Sequence, residues 1–444
     1  MTNKVIHFIG IGGAGMATLA QMYYNKGYKV QGSDQTDINN NVKALQKLGL
    51  KVFVGHKASN LDLVNIVVIS TAIKSDNPEL IAAKKQTLPI WHRAKALAQL
   101  VNLDYLFAVA GAHGKTTTAA MLAFTLQELG VDCSYSFGAN MINDCRSVTG
   151  GYVGKDKVAV IEADESDGSF LDFTPNVSII LNIEADHLDY YKSETNFLAA
   201  FAKFATKASN KVIFCGDDKK VYNFIKSLNL SESLSYGTAN YNDILLKKPL
   251  GIKLAGKHNQ LNALSVFISV KQFLPNIVNA KVYKALALFP GTYRRFEFKG
   301  SVGSVRLFDD YAHLPSEIQA TILAARDLLK SDGQNKGKIR VLFQSHLFSR
   351  TLNFAQGFAQ ALALADEVIV TDVYAARESI NPDVTPSTIL QYMSKTVPHW
   401  AIRDRVQAAE KLGSLAKPND ILLTLGAGDL NILDKQILNS INVR

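Results

Sequence analysis

Cysteine is scarce and scattered: Cys133, Cys145 and Cys215 are the only three in 444 residues, and none forms a C-x-x-C pair. That spacing excludes a disulfide framework or a zinc knuckle and predicts a reducing compartment. Proline is also sparse, at 11 residues against a hydrophobic share of 47%, which excludes a disordered or collagen-like chain. Apolar runs such as Leu106 to Ala110 fall far short of the roughly 18 residues a membrane-spanning helix needs, so no membrane insertion is expected. The N-terminal stretch lacks a basic region followed by a sustained apolar one, and a cytoplasmic location is expected. The net charge of +9 is spread without a basic run of five, so nucleic acid is not an expected partner. A phosphorylated small molecule remains compatible with that charge.

What is present is a thrice-repeated alternation of β-rich apolar runs with helical ones, the pattern of parallel sheets wrapped by helices. At roughly 150 residues per domain the length also suggests about three domains. The first block has strands at Val5 to Ile9, Tyr28 to Gly32 and Ile66 to Ser70. The second has strands at Tyr105 to Ala110, Lys157 to Glu162, Val177 to Ile183 and Lys211 to Cys215. The third has strands near Val305 to Phe308, Ile339 to Phe343, Glu367 to Thr371 and Ile421 to Leu425. These predict a three-domain α/β protein divided as 1–103, 104–291 and 292–444. The outer two domains are expected to be Rossmann-like, and the central one to be a parallel sheet of the P-loop ATPase type.

Two glycine loops carry the first chemical signals. Gly10-Ile11-Gly12-Gly13-Ala14-Gly15 lies between a strand and a helix, and Asp34 follows 19 residues after Gly15 at the end of a second strand. Glycines let the backbone approach a pyrophosphate, the helix N-terminus favours its charge, and the acid meets a hydroxyl group. A nucleotide or nucleotide-sugar satisfies those demands. In Gly111-Ala112-His113-Gly114-Lys115-Thr116-Thr117 the loop again follows a strand and opens a helix, although Val109 replaces the usual first glycine. Lys115 suits β- and γ-phosphates, and the Thr116 hydroxyl suits magnesium. Two phosphate sites suggest an energy source and a substrate handle, and they disfavour an NAD-dependent dehydrogenase, which needs only one.

Beyond the central strands stand Glu162, in Glu-Ala-Asp-Glu-Ser-Asp, and His187, in Asn-Ile-Glu-Ala-Asp-His. In an open parallel sheet both reach the edge that holds the phosphate loop. Asn259 and Asn262, three residues apart, share one helical face, and residue chemistry alone favours a capping role for them. Arg294-Arg295, Asp309-Asp310 and His313 are ambiguous one at a time, though paired arginines at a domain join suit a phosphate clamp.

Taken in order, these segments resemble the Mur ligase family, ATP-dependent amide ligases of peptidoglycan precursor synthesis, and within it the alanine-adding branch. The resemblance covers nearly the whole chain. It rests on residues 10–16, 32–34, 111–118, 162–170, 182–187, 258–263, 294–296 and 309–313. It implies that Lys115 and residues 111–117 hold ATP, with Asn259, Asn262, Arg295 and Asp310, and that Thr116, Glu162 and His187 hold Mg2+. Lys115, Glu162 and His187 would be catalytic. Gly12, Gly13, Ala14, Gly15, Met16, Ser33, Asp34, His56, Ser70 and Arg93 would hold UDP-N-acetylmuramate. His313, His346 and Arg350 would lie toward L-alanine. A monomer or homodimer is expected, with closure of the three domains completing the site. Two departures stand out. The family's Phe-Gln-Pro-His-Arg reads Phe343-Gln344-Ser345-His346-Leu347 here, so an arginine expected near the incoming amino acid is missing while Arg350 remains. Leu314 replaces a second histidine. A murein-peptide ligase that takes a tripeptide is the same-fold alternative.

Overall fold

The computed structural model describes residues 4–102, 105–184, 188–333, 336–376 and 378–442. Among them the strands form three sheets, one within each of the three sequence blocks. The first contains β1 (Val5–Ile9), β2 (Lys29–Asp34), β3 (Lys51–Val54), β4 (Ile66–Ile69) and β5 (Ile90–His92), in the order β3-β2-β1-β4-β5, all parallel. The second contains β6 (Tyr105–Ala110), β7 (Ser134–Ser136), β8 (Gly151–Tyr152), β9 (Val158–Glu162), β10 (Val177–Ile180), β11 (Lys211–Cys215), β12 (Ser233–Gly237) and β13 (Ile244–Leu245). Its order is β13-β12-β11-β10-β6-β9-β7-β8, and β7 and β8 run antiparallel. The third contains β14 (Glu297–Val302), β15 (Val305–Asp310), β16 (Ile339–His346), β17 (Glu367–Tyr374), β18 (His399–Ala401) and β19 (Ile421–Leu425), in the order β14-β15-β19-β16-β17-β18. Only the β14/β15 pair in that sheet is antiparallel.

Central strands are continuous apolar runs because helices cover both faces. Residues Leu106 to Ala110 of β6 and all of β19 are buried. Two strands differ from the sequence expectation. The run expected to reach Ile183 leaves the sheet after Ile180, because the Leu181 amide takes the last ladder bond, to the Ala110 carbonyl, and Asn182 turns toward the phosphate loop. The strand expected to stop at Phe343 continues to His346, paired with Tyr374 across a register shift. No helix among the described residues is long and apolar enough to cross a membrane.

The chain packs into two compact units, residues 1–253 with 261–292, and residues 254–260 with 293–444. In the first unit, two lobes built on the first and second sheets meet along a polar seam. Helix Ala14–Asn25 supplies Gln21, whose buried Oε1 accepts from Thr149 Oγ1 at 2.6 Å and from the Val148 amide at 3.2 Å. Thr18 Oγ1 donates to the Thr149 carbonyl at 2.5 Å. A side chain at Gly151 would collide with Thr18, its Cβ lying 2.6 Å from Thr18 Cγ2. These buried polar groups favour one relative placement, since separating the lobes would break the bonds of Gln21 Oε1 to Thr149 and Val148. Both lobes lie within one compact unit.

Candidate active site

The first glycine loop leaves β1 at the point where the sheet order reverses, with β2 on one side and β4 on the other, a crevice that binds ligands in open α/β sheets. Gly10 takes a φ of 73°, available to glycine at little cost. The Gly12 amide donates to Asp34 Oδ2 at 2.8 Å, so Asp34 closes the loop. Asn39 and Asn41 both donate to the Gly12 carbonyl, at 3.2 and 2.9 Å; the sequence reading missed both. Gly13 caps the helix Ala14–Asn25 without a side-chain bond, which leaves the first amides of that helix directed at the crevice.

The other residues expected around the nucleotide-sugar divide between the crevice and the interior. The Met16 side chain packs into the apolar core at 2% exposure, so only its backbone is placed to meet a ligand. Ser33 is fully buried, donating to Glu79 Oε2 at 2.5 Å and bonded to His56 Nδ1 at 2.9 Å. Glu79 also accepts from Asn60 at 2.6 Å and lies 3.4 Å from His7 Nε2. Ser33 and His56 thus sit behind the crevice in a buried network, with His56 keeping a 12% exposed edge. Ser70 starts a turn through its carbonyl to Ile73. Arg93 begins the helix Arg93–Val101 and leans on the loop, since a Cβ on Gly15 would lie 2.8 Å from its Nη1.

The second loop leaves β6, whose neighbours β9 and β10 flank it at their carboxyl ends. Gly111 and Gly114 take φ values of 136° and 82°. A Cβ on Gly111 would sit 3.0 Å from both the backbone N and O of Asn182. Asn182 binds this turn from both sides: its Oδ1 accepts from the His113 amide at 2.9 Å and its Nδ2 donates to the His113 carbonyl at 3.0 Å. Removing both bonds with Asn182→Ala is expected to raise the dissociation constant for a nucleoside triphosphate about 30-fold, measured by titration calorimetry, since each bond contributes about 1 kcal/mol to loop order.

Lys115 curls back over its own loop, donating to the Gly111 carbonyl at 2.7 Å and to Glu165 Oε1 at 3.0 Å. Burial works to lower its pKa, but Glu165, Asp164 and Glu162 outweigh it and hold the ammonium above its ordinary value. Thr116 Oγ1 donates to Glu162 Oε2 at 2.9 Å, and the Gly138 amide donates to the same oxygen at 2.8 Å. A hydroxyl beside a carboxylate at the phosphate loop is the hard-oxygen set magnesium prefers. His187 lies outside the described residues, and among those described no group of three or more His, Cys, Asp or Glu side chains is placed to hold a metal. Asn262 faces the loop: a Cβ on Gly114 would lie 3.1 Å from its amide nitrogen. Asn259 lies inside the helix Lys257–Phe273 and donates to the Ala255 carbonyl at 2.7 Å, not the amide-accepting bond of an N-cap.

A cavity of about 250 Å³ lies between the two lobes of this unit, running from the first glycine loop to Glu162, the carboxylate bonded to Thr116 of the second. Ala14, Gly15 and Arg93 line it from the first lobe, and Gly138, Glu162 and Asp164 from the second.

In the second unit the adjacent arginines have separate fates. Arg294 is spent inside the fold, donating to Asp309 at 3.1 Å and to the carbonyls of Gly426 and Gly428 at 2.6 and 3.0 Å, which removes it from any phosphate clamp. Arg295 lies over the Tyr311 ring, 5.3 Å from its centre. Asp310 accepts from the Phe296 and Ala312 amides at 2.7 and 2.8 Å, and burial pushes its carboxyl up to about 6 against the pull of Arg295. His346 stacks on Tyr374 and approaches Arg350 at 3.4 Å, with His313 beside it. Leu347 occupies the departing position at a φ of 71°, buried, where a side chain is strained.

Family models match this chain in series: "Mur ligase family, catalytic domain" over residues 5–105, "Mur ligase middle domain" over 109–270 and "Mur ligase, glutamate ligase domain" over 294–428. A UDP-N-acetylmuramate–L-alanine ligase of Bifidobacterium adolescentis is 39% identical, over 98% of this chain and 92% of its own. One from Thermobifida fusca is also 39% identical, over 98% and 96%. The crystal structure of a UDP-N-acetylmuramate–alanine ligase from Thermotoga maritima superposes with a TM-score of 0.81 at 29% identity, covering 98% of both chains. A murein peptide ligase from Psychrobacter arcticus shares the fold, at a TM-score of 0.71 and 21% identity over 98% of both chains.

Proposed function

The chain belongs to the Mur ligase family, and from that premise we propose that it joins L-alanine to the lactyl carboxylate of UDP-N-acetylmuramate, with ATP converted to ADP and phosphate. The observation that carries this reading is the cavity that runs from the first glycine loop to Glu162, which is bonded to Thr116 at the mouth of the second. A uridine diphosphate on Gly12 to Gly15 and a triphosphate on Gly111 to Thr117 would direct the sugar acid and the γ-phosphate into the same space. We assign residues 1–103 to the nucleotide-sugar, 104–291 to ATP and 292–444 to the amino acid.

A carboxylate is a poor acyl donor because its leaving group would be oxide. Transfer of the γ-phosphoryl group to the lactyl carboxylate gives an acyl phosphate, and attack by the alanine nitrogen then expels phosphate and forms the amide. Lys115 turns from the Gly111 carbonyl to the β- and γ-oxygens and opposes the repulsion between carboxylate and triphosphate. Thr116 and Glu162 would hold magnesium together with His187, and a bound magnesium ion would neutralise charge on the phosphates. The loop amides and Asn182 fix the triphosphate in line with the cavity, a positioning role. His313, His346 and Arg350 would meet the carboxylate end of the amino acid.

A coupled assay of ADP release, scanning amino acids and the tripeptide at fixed UDP-N-acetylmuramate and ATP, tests the reading. Alanine-dependent release supports it, and release with the tripeptide alone would favour the recycling ligase. Asp34→Ala is expected to raise the UDP-sugar KM about tenfold and leave the ATP KM within about twofold, because Asp34 closes the first loop and touches nothing in the second.

A further inference from the structure

Arg93 and Asp164 form a charged pair on the wall of the cavity between the lobes, one residue from each lobe. Arg93 Nη2 and Asp164 Oδ2 lie 3.8 Å apart. Arg93 stands against Gly15, so a diphosphate bound on the first loop presents its oxygens to the same guanidinium. The neighbouring carboxylates are committed elsewhere. Glu162 accepts from Thr116 and Gly138, Glu165 is buried against Lys115, and Asp167 accepts from the Ser169 amide and faces His92. Asp164 is different. One of its oxygens takes the Ser166 amide at 3.1 Å, and the side chain keeps 39% of its surface exposed while lining the cavity.

We propose that Asp164 is the docking site for the ammonium group of the incoming amino acid, exchanged for Arg93 once the nucleotide-sugar is bound. The inference rests on the ligase reading and adds a subsite to it. In the free enzyme the arginine neutralises the carboxylate. When a diphosphate draws the guanidinium toward Gly15, the carboxylate is left facing the cavity that the sugar acid occupies. An α-ammonium group is the cation the third substrate brings, and its three N–H donors suit a carboxylate from which Arg93 has withdrawn and whose other cation, Lys115, is turned to the ATP phosphates in the proposed reaction. The exchange also makes amino-acid docking depend on prior occupation of the first loop. Asp164 holds the ammonium group in place; the nitrogen sheds one proton to solvent before its lone pair attacks the acyl carbon, and a second as the adduct expels phosphate and the amide forms.

The test is steady-state kinetics of the full-length Asp164→Asn variant in all three substrates, with hydroxylamine trapping as a second readout. Hydroxylamine is uncharged at pH 8 and captures an acyl phosphate as the hydroxamate, releasing phosphate, without needing an ammonium site. The expected result is an alanine KM raised about 10- to 100-fold, the loss of one charge-assisted contact. The UDP-sugar KM should stay the same or fall, because Arg93 loses a competitor, and hydroxamate should form at the wild-type rate. An unchanged alanine KM overturns the proposal, as does a parallel loss of hydroxamate, which would place Asp164 in phosphoryl transfer or in the fold. If wild-type protein gives no hydroxamate from UDP-N-acetylmuramate and ATP, the ligase reading itself fails, a result separate from either outcome in the variant.

Discussion

Lys115→Ala is expected to lower ADP release that depends on UDP-N-acetylmuramate and alanine by about 10³-fold, the scale of losing one buried electrostatic stabiliser. The ammonium group faces Glu165, Asp164 and Glu162, and no other lysine or arginine lies in the second loop. The same substitution leaves Glu165, 2% exposed, without its cation, and breaking a buried pair from one side costs about 3–5 kcal/mol. Loss of turnover alone would therefore confound chemistry with unfolding. The double variant Lys115→Ala/Glu165→Gln removes the uncompensated charge and should recover most of the melting temperature while turnover stays absent. Turnover returning with stability would show that Lys115 acts through the fold and not on phosphate.

The second large effect is acid destabilisation centred on Glu79. Burial by itself would raise this carboxyl, but His7, Ser33 and Asn60 bond the ionised form and bring it down to about 2 from an ordinary 4.5. A group whose folded pKa is depressed stabilises the native state above its unfolded value, and that contribution disappears as pH falls through the folded value. The window is thus pH 4.5 to about 2, and about 3 kcal/mol is at stake at about 1.4 kcal/mol per pKa unit. Urea unfolding followed at pH 7 and at decreasing pH should show this loss in the wild type. Glu79→Gln should be destabilised at pH 7 and have a flatter profile through that window. An unchanged slope in the variant would mean that other carboxylates carry the acid sensitivity.

Sequence spacing located those parts of the site that lie on one element or at its end. Lys115 and Thr116 open a helix after a strand, Glu162 ends the next strand, and the Thr116–Glu162 bond at 2.9 Å follows from parallel pairing of β6 and β9. The three sheets were likewise legible, because each alternation of strand and helix patterns closes on itself. Contacts between distant segments were not. Ser33 reads as a ligand contact after a glycine loop, yet its partner Glu79 lies 46 residues on and pulls it into the interior. Asn182 reads as part of a strand run, and only the carboxyl end of β10 lying beside the phosphate loop makes it the brace of that loop. Arg294 and Arg295 are indistinguishable as letters, and the arrangement of Asp309 and Gly426 decides which is internal. Gln21 sits on an amphipathic helix with no local feature to mark it as a lobe contact.

That glutamine sets the gauge of the molecule. With Gln21 and Thr18 seated on residues 146–149, the two glycine turns stand at one set spacing, and under the proposed reaction a substrate has to span it. A sugar acid carrying one phosphate in place of two would reach from either end of the cavity but not from both, however well each half fitted its own turn.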